Sequence, residues 1–447
     1  MVIHRILGTL RTPAQLVLAA FVSLIAIGTA LLRLPIAVDE GVAHPGLRHA
    51  LFWATSASTV TGLGTTDVAD FSLFGELVLL ALIQLGGFGI MTIGSVLALV
   101  TSRRVGLRQR MLAQAEIGAV DIGELRHLIS AIAKITLAVE ASIALVLFVH
   151  LAADDDISIG RAAYSGIFHG VSAFNNAGIS LYSDSLTRFA GDPLVVFPIT
   201  FAFIVGGLGF PVLVELRRNR RMRRWGLHTR ITLAATALLL VIGPLVVLIV
   251  EWTNPNTLGP LGVWEKVQAA WFQGVTPRTA GFNTIDIGAQ REPTLSVMTA
   301  LMFIGAGPAS TSGGIKVTTF AVLGYAMWSE VRGDNDVNAF GRRLPVHLLR
   351  QAMTVALLSI GVVFGTAVAL EAMSPFDFTR TLFESASAFG TVGLSTGITG
   401  ALPAAGQLLL VLVMLAGRIG PVTFVTALAF RQRSRAYRLP EERPIIG

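Results

Sequence analysis

The stretch Phe52-W-A-T-S-A-S-T-V-T-Gly62 returns three times in altered form, as Phe168-H-G-V-S-A-F-N-N-A-Gly178, Trp271-F-Q-G-V-T-P-R-T-A-Gly281 and Phe383-E-S-A-S-A-F-G-T-V-Gly393. In every copy an aromatic residue stands ten positions before a glycine, and an apolar residue (Leu63, Ile179, Phe282 or Leu394) follows that glycine. The glycines fall 116, 103 and 112 residues apart, so the period covers all 447 residues and marks a fourfold internal repeat. Each stretch is semi-apolar and about 11 residues long, too short to cross a bilayer.

Long apolar segments flank every copy. Residues 12–32 and 77–102 bracket the first, 128–153 and 193–214 the second, 231–250 and 294–323 the third, 351–370 and 401–430 the fourth. A span takes about 20 apolar residues, so these are eight candidate spans. Composition agrees, with 53% hydrophobic and 14% charged residues and a mean hydropathy of +0.69; a soluble chain carries about 25% charged residues. There is no cysteine, which excludes disulfides, thiolate metal sites and cysteine nucleophiles. The first apolar run lacks a small-residue cleavage site and is too long for a signal-peptide core, so it reads as a span.

Charge sets the orientation. The net charge of +7 comes from arginine, because lysine occurs only as Lys134, Lys266 and Lys316. Arg5 and Arg11 precede the first span, and Arg103, Arg104, Arg108 and Arg110 follow the second. Arg217, Arg218, Arg220, Arg221, Arg223 and Arg224 follow the fourth; Arg332, Arg342, Arg343 and Arg350 the sixth; Arg431, Arg433, Arg435 and Arg438 the last. With alternating spans all of them share one face, whereas Asp39, Glu40, Asp154, Asp155, Asp156 and Glu251 share the other. The positive-inside rule then makes both termini cytoplasmic, and the arginine runs read as topology signals rather than nucleic-acid patches.

The expected fold is an all-α membrane protein of four parallel repeats, each a span, a short pore helix, a glycine loop and a second span. The repeats occupy residues 1–110, 111–228, 229–346 and 347–447, the last with a cytoplasmic tail. Two crossings per repeat return the chain to its starting side, which implies a pseudo-fourfold axis along the membrane normal rather than inverted halves. Four re-entrant loops then converge on that axis. Irregular backbone at membrane depth persists only where it lines a cavity or is buried in protein. Rings of backbone carbonyls there replace a cation's hydration shell. Glycine suits the position because it tolerates positive φ, and the C-terminal ends of the short helices add partial negative charge.

At matched depth below the loops, each second span carries a small-residue cluster: Gly86-Gly87-Phe88-Gly89, Gly206-Gly207-Leu208-Gly209, Gly305-Ala306-Gly307 and Gly417-Arg418-Ile419-Gly420. In the first two repeats this reads as close helix packing. In the third, Gly305-A-G-P-A-S-T-S-G-Gly314 holds four glycines, a proline and three hydroxyls, a poor helix interior. The sixth span is therefore expected to break into a polar loop beneath the filter. Arg418 lies at the same level, 12 residues or about 18 Å of helix from the next arginine, and must find interior partners. Two readings stand for it: a salt bridge or cap on loop carbonyls, and a positive charge that slows cations and holds the loop shut. Lys316 either anchors the loop's inner end or is a plain interfacial lysine. Asp67 and Asp286, each five residues past a filter glycine, either concentrate cations at the outer mouth or are solvated carboxylates. Lys134 either snorkels or pairs with Glu140, and His169 reads as a packed residue.

These glycine loops, with T-V-T-Gly62, F-N-N-A-Gly178, T-P-R-T-A-Gly281-F-N-T and S-A-F-G-T-V-Gly393-L-S-T, closely resemble the Ktr/Trk/HKT superfamily of potassium transporters. Gly313-G-I-K-V-T-T-F, Gly417-R-I-G-P-V-T-F and the count of eight spans look most like the Ktr membrane subunits. The resemblance implies potassium uptake across a bacterial plasma membrane, with sodium as a coupling or activating ion and no organic cofactor. It implies a homodimer, one pore per subunit, opened and closed by a cytoplasmic ring of nucleotide-binding RCK/KTN subunits. It places the potassium filter at Val60, Thr61 and Gly62; Asn176, Ala177 and Gly178; Thr279, Ala280 and Gly281; Thr391, Val392 and Gly393. The gate would be Gly305, Ala306, Gly307, Pro308, Ser310, Thr311, Ser312, Gly313, Gly314 and Lys316, with Arg418 in the conducting path. Glycine at all four filter positions is the pattern associated with potassium preference. The alternatives are a less selective sodium/potassium transporter of the same superfamily and a rocking carrier, which parallel repeats oppose. No HExxH, no paired aspartates in adjacent spans and no Ser/His constellation point to an enzyme.

Overall fold

The computed structural model describes residues 13–42, 44–102 and 122–430. The arginines expected at positions 5, 11, 103, 104, 108, 110 and 431–438, and the tail at 437–447, lie outside the described residues. The chain is helical throughout, apart from a two-residue hairpin pairing β1 (Asn338–Ala339) with β2 (Arg342–Arg343).

The first repeat comprises α1 (Pro13–Leu32), α2 (Leu47–Thr59) and α3 (Leu73–Ser102). The second comprises α4 (Ile122–Leu151), α5 (Ile159–Phe174), α6 (Pro193–Leu208) and α7 (Phe210–Arg218). Next come α8 (Leu227–Glu251), α9 (Val263–Val275), α10 (Glu292–Phe303) and α11 (Val317–Arg332), then α12 (Val346–Met373), α13 (Phe378–Gly390) and α14 (Ala404–Phe430). Of the four short helices α2, α5, α9 and α13, the last three start at side-chain caps. Ser158 and Asp377 cap α5 and α13 by accepting the amides of Arg161 and Arg380, and Glu265 reaches back to the Gly262 amide at 2.8 Å to cap α9.

Five described helices are long and apolar enough to cross a membrane: 15–32, 73–95, 126–151, 227–251 and 346–373. Two of the other three expected spans depart from straight helices. The fourth is bent by 97° at Gly209, between α6 and α7. Gly209 has φ +90, and a Cβ there would overlap the Pro308 carbonyl, so the G-G-L-G cluster is a break as well as a packing face. The sixth is broken between α10 and α11, as expected. The last is apolar over 404–420.

Packing runs around the molecule in chain order. The short helices α2, α5 and α13 pack against the second span of their own repeat, α3, α6 and α14. Each second span also packs on the next repeat's short helix: α3 on α5, α6 on α9, α10 on α13, and α14 back on α2. Glycine permits the closest approaches. Cβ atoms at Gly86, Gly206 and Gly417 would overlap the carbonyls of Ser58, Phe174 and Phe389, at the ends of the three short helices. This bears out close packing at those clusters. Large apolar side chains on the outer helix faces, such as Leu137, Leu145, Ile249 and Leu357, are exposed, as a lipid-facing surface requires.

A Cβ at Gly243 of α8 would overlap the Gly274 carbonyl of α9, whereas one at Gly324 of α11 meets nothing within 4 Å. Gly243→Val is therefore expected to cost about 1–3 kcal/mol through overpacking, and Gly324→Ala to be neutral or stabilising. Thermal unfolding of the two variants in detergent checks both.

Candidate ion-conduction site

The same backbone figure ends all four short helices. Val60, Asn176, Thr279 and Thr391 adopt left-handed conformations (φ 56, 61, 72 and 48), and the glycine two residues on also has positive φ: 93 at Gly62, 64 at Gly178, 81 at Gly281 and 93 at Gly393. β-branched residues reach this region only under strain, so the surroundings must hold them there. The hold comes from a hydroxyl residue five or six positions before the glycine. Ser56 takes the Thr61 amide on its carbonyl (2.7 Å) and the Gly62 amide on its hydroxyl (3.0 Å). Ser387 does the same for Val392 (2.8 Å) and Gly393 (3.1 Å). Ser172 and Thr276 accept the amides of Ala177 (2.8 Å) and Ala280 (3.0 Å) on their carbonyls. Their hydroxyls donate to the carbonyls just past the glycine, Ile179 and Phe282.

Amides are thus drawn back toward the short helices. Among the described residues, none of the twelve carbonyls from Val60–Thr61–Gly62 and its three counterparts accepts a hydrogen bond. The structure also brings the four loops together. A Cβ at Gly62 would overlap the Ala177 carbonyl, one at Gly178 the Gly281 Cα, and one at Gly393 the Thr61 carbonyl; one at Gly281 would lie 2.6 Å from the Val392 carbonyl. Each glycine therefore abuts its neighbour's loop, and the fourth closes on the first.

All four glycines lie at the base of one open cavity of about 470 Å³. Asp67 and Asp286 line it, and both carboxylates brace their own loops, accepting the amides of Ala69 (3.0 Å) and Gly288 (2.8 Å). Beside the mouth, Arg188 grips Asp184 (2.7 Å) and lies over the ring of Tyr182, which lines the cavity. Partial burial raises the Asp184 pKa, but hydrogen bonds from Arg188 and Thr187 outweigh it and hold the carboxyl below its ordinary value. His169 is packed: it is buried, bonded to Ser165 and Ser180, and stacked on Tyr182.

On the opposite side of the filter lies the loop that breaks the sixth span. Its neck is closed by the pairing of Ile304 with Ile315 and by the Gly305 amide on the Ile315 carbonyl (2.8 Å). Its body is bonded to the second repeat through the Gly307 amide on the Gly207 carbonyl (2.8 Å). Ala309, at φ 54, accepts the amide of Phe210 beside the bend at Gly209. Ser310 bonds the Gly307 carbonyl and the Ser312 hydroxyl, and Lys316 Nζ closes on the Ser312 carbonyl (2.6 Å). A Cβ at Gly313 would strike the Thr391 side chain, which sets the loop directly beneath the fourth filter segment. Ala306, Pro308 and Gly314 complete it.

Arg418 is 2% exposed and makes no ion pair among the described residues. Its guanidinium donates to the carbonyl of Thr311 and, at 3.5 Å, to that of Gly86. It caps the loop with its positive charge intact. Lys134 is exposed, while Glu140 is bonded to Gln84 and Asn175 instead of to it.

Sequence reasoning missed several buried groups. Glu384, within α13, accepts from Ser395, the Thr396 amide (3.2 Å) and Thr399 (3.0 Å), bracing the segment just past Gly393. Glu251 gathers Asn254, Thr257, Arg291 and Thr294 at the end of α8. Arg278 is 5% exposed beside Thr236. The serine six positions before the glycine, in three of the four quoted stretches, was the legible signal for the amide ties.

Four convergent loops with free carbonyls above a plugged inner side are the geometry of a cation path. Comparison with known proteins agrees: residues 5–437 match the model of the TrkH family, described as cation transport protein. The chain belongs to that family, as a membrane subunit of the Ktr/Trk superfamily, and is a transporter rather than an enzyme. It is 40% identical to Ktr system potassium uptake protein B of Bacillus subtilis, over 98% of this chain and 97% of that one. Identity to the Vibrio alginolyticus protein of the same name is 38%, over 97% and 94%. It is 32% identical to the potassium/sodium uptake protein NtpJ of Enterococcus hirae, over 98% and 97%. The crystal structure of the potassium transporter TrkH from Vibrio parahaemolyticus shares the fold, with a TM-score of 0.69 over 94% of this chain and 86% of that one at 18% identity.

Ser387→Ala removes the acceptor of the Gly393 amide and is expected to cost about 1–3 kcal/mol, the penalty of an unsatisfied buried donor. The melting temperature of the purified variant measures it.

Proposed function

We propose that this chain carries potassium into the cell across the bacterial plasma membrane, through a filter made of the carbonyls of Val60, Thr61, Gly62, Asn176, Ala177, Gly178, Thr279, Ala280, Gly281, Thr391, Val392 and Gly393. The observation that carries this reading is the division of labour in the loops: amides drawn back to the short helices, carbonyls left free. A desolvated cation needs such oxygens in place of its hydration shell. The names of the 40% and 38% identical relatives support potassium as the ion.

The four repeats, residues 1–110, 111–228, 229–346 and 347–447, surround a pseudo-fourfold axis in parallel orientation with eight spans and both termini cytoplasmic. The chain-order packing of second spans on the next short helix supports this. The exposed arginines at 217–224, 332, 342, 343 and 350 support the cytoplasmic assignment of their segments. The loop at 305–316 with Arg418 acts as the gate and Asp67 and Asp286 draw cations to the mouth. A homodimer regulated by a cytoplasmic ring of nucleotide-binding RCK/KTN subunits fits the likeness to a protein named as part of a Ktr system. Sodium acts as a coupling or activating ion.

A second reading, a less selective sodium/potassium transporter, is favoured by the relative named potassium/sodium uptake protein. Rubidium uptake into proteoliposomes separates the two. Competition by potassium but not sodium supports the first reading; equal competition supports the second.

Two variants extend the test. Gly62 has φ 93, and a Cβ there overlaps the Ala177 carbonyl, so Gly62→Ser must displace one carbonyl ring. It is expected to lower the preference for potassium over sodium by about tenfold, some 1.4 kcal/mol of differential binding; an unchanged preference refutes this filter register. Arg418→Ala removes a buried positive charge and the cap on Thr311. Cation flux is expected to rise severalfold in the folded variant, read in the same assay.

A further inference from the structure

Among the described residues the gate loop is hydrogen-bonded to the filter residues through one side chain, Thr311, whose three polar groups are all engaged with different parts of the molecule. Its amide donates to the Gly206 carbonyl in α6 (3.3 Å), its carbonyl accepts from Arg418 in α14, and its hydroxyl meets the second filter loop. That hydroxyl lies 3.1 Å from the amide group of Asn176 and 3.3 Å from the carbonyl of Phe174, the last residue of α5. Asn176 is itself the left-handed filter residue of the second repeat, 1% exposed. Oriented to suit its neighbours, its Nδ2 donates to Thr311 Oγ1 (3.1 Å) and to the carbonyls of Phe174 and Phe203, and its Oδ1 accepts from Thr279 Oγ1 (3.1 Å). Thr279 is the corresponding left-handed residue of the third filter loop.

We propose that the Thr311–Asn176–Thr279 chain is a polar latch through which the position of the gate loop sets ion selectivity as well as flux. The proposal rests on the reading of filter and gate given above. The physics is that of a buried, water-poor polar network, where every donor and acceptor needs its partner. When the gate loop withdraws, the Asn176 amide loses Thr311 and reorients toward the carbonyls of Phe174 and Phe203 that remain. Asn176 and Thr279 are the non-glycine left-handed residues of two adjacent filter loops, so that turn moves carbonyls in both. Coupling is reciprocal: an ion that fits the latched filter best also favours the loop in place. Thr311 is thus a positioning residue for selectivity, distinct from Arg418, which carries the charge.

The test compares Thr311→Val, which keeps the branched shape and loses the hydroxyl, with Thr311→Ser, which keeps the hydroxyl. Both are reconstituted beside the wild type, and rubidium uptake is competed with potassium or sodium. The expected result is that Thr311→Val loses discrimination between the two competitors by a factor of about 2 to 10, the worth of one hydrogen bond, while Thr311→Ser matches the wild type. A Thr311→Val variant that discriminates as the wild type does, whatever its flux, overturns the latch. A wild type that does not discriminate at all counts instead against the potassium reading. Hydrogen exchange of residues 305–316 in the wild-type protein gives an answer that needs no variant to fold. The latch requires slower exchange in potassium than in sodium, and equal exchange refutes it.

Discussion

The tie between a filter amide and the hydroxyl residue near the end of its short helix is the constraint on which the rest depends. Backbone amides and carbonyls come in equal number, and burial demands that each be satisfied. By binding amides behind the loop, Ser56, Ser172, Thr276 and Ser387 leave the neighbouring carbonyls facing no internal donor. The same ties hold Val60, Thr279 and Thr391 in a left-handed conformation that β-branched residues otherwise avoid. Strain is therefore placed at the filter, and the packed helix ends around it supply the force that keeps it there.

Positive charge beneath the filter is handled by the same economy of carbonyls. Arg418 has no carboxylate partner among the described residues, and a buried ion pair would have cancelled its field. Carbonyl caps at Thr311 and Gly86 satisfy its donors while leaving a net charge close to the path. The negatively polarised ends of the short helices point the other way electrically, favouring a cation. On the proposed reading, attraction above and repulsion below would make a site that a cation enters readily and leaves only when the loop moves.

The period of the glycine stretches and the apolar runs carried most of the architecture in the sequence, because both follow from bilayer thickness and from the need for positive φ. The broken sixth span was legible in Gly305-A-G-P-A-S-T-S-G-Gly314, since no helix interior tolerates that content. The bend at Gly209 was not, because small residues in a membrane helix signal close packing and breakage alike; only its apposition to Pro308 and Ala309 distinguishes them. Nor were the left-handed positions two residues before each glycine, where valine, asparagine and threonine share no propensity for that conformation. Glu140, Glu384 and Arg278 were hidden for a related reason: their partners lie 11 or more residues along the chain, and no local spacing announces them.

The break in the third repeat's second span follows from one packing difference. In the other three, a glycine of the second span lies against the carbonyl of a residue near the short helix's end, at Gly86, Gly206 and Gly417. Those contacts clamp the span to the helix at the level of the filter, although that of the second repeat bends at Gly209 just past its clamp. The third repeat reads T-P-R-T-A-Gly281 where the others continue their helix, and α9 does not make with α10 the extensive packing that its counterparts make with α3, α6 and α14. Its Gly274 presses instead on Gly243 and Pro244 of α8, and Gly305 faces the Gly313 carbonyl of its own loop. Freed of that clamp, the segment folds back on itself and is held by hydrogen bonds to Gly206, Gly207, Phe210, Phe174, Asn176, Gly417 and Arg418. A few polar bonds can exchange partners without unpacking a core, which a clamped helix cannot do, so the one unclamped span is where a gate can be built.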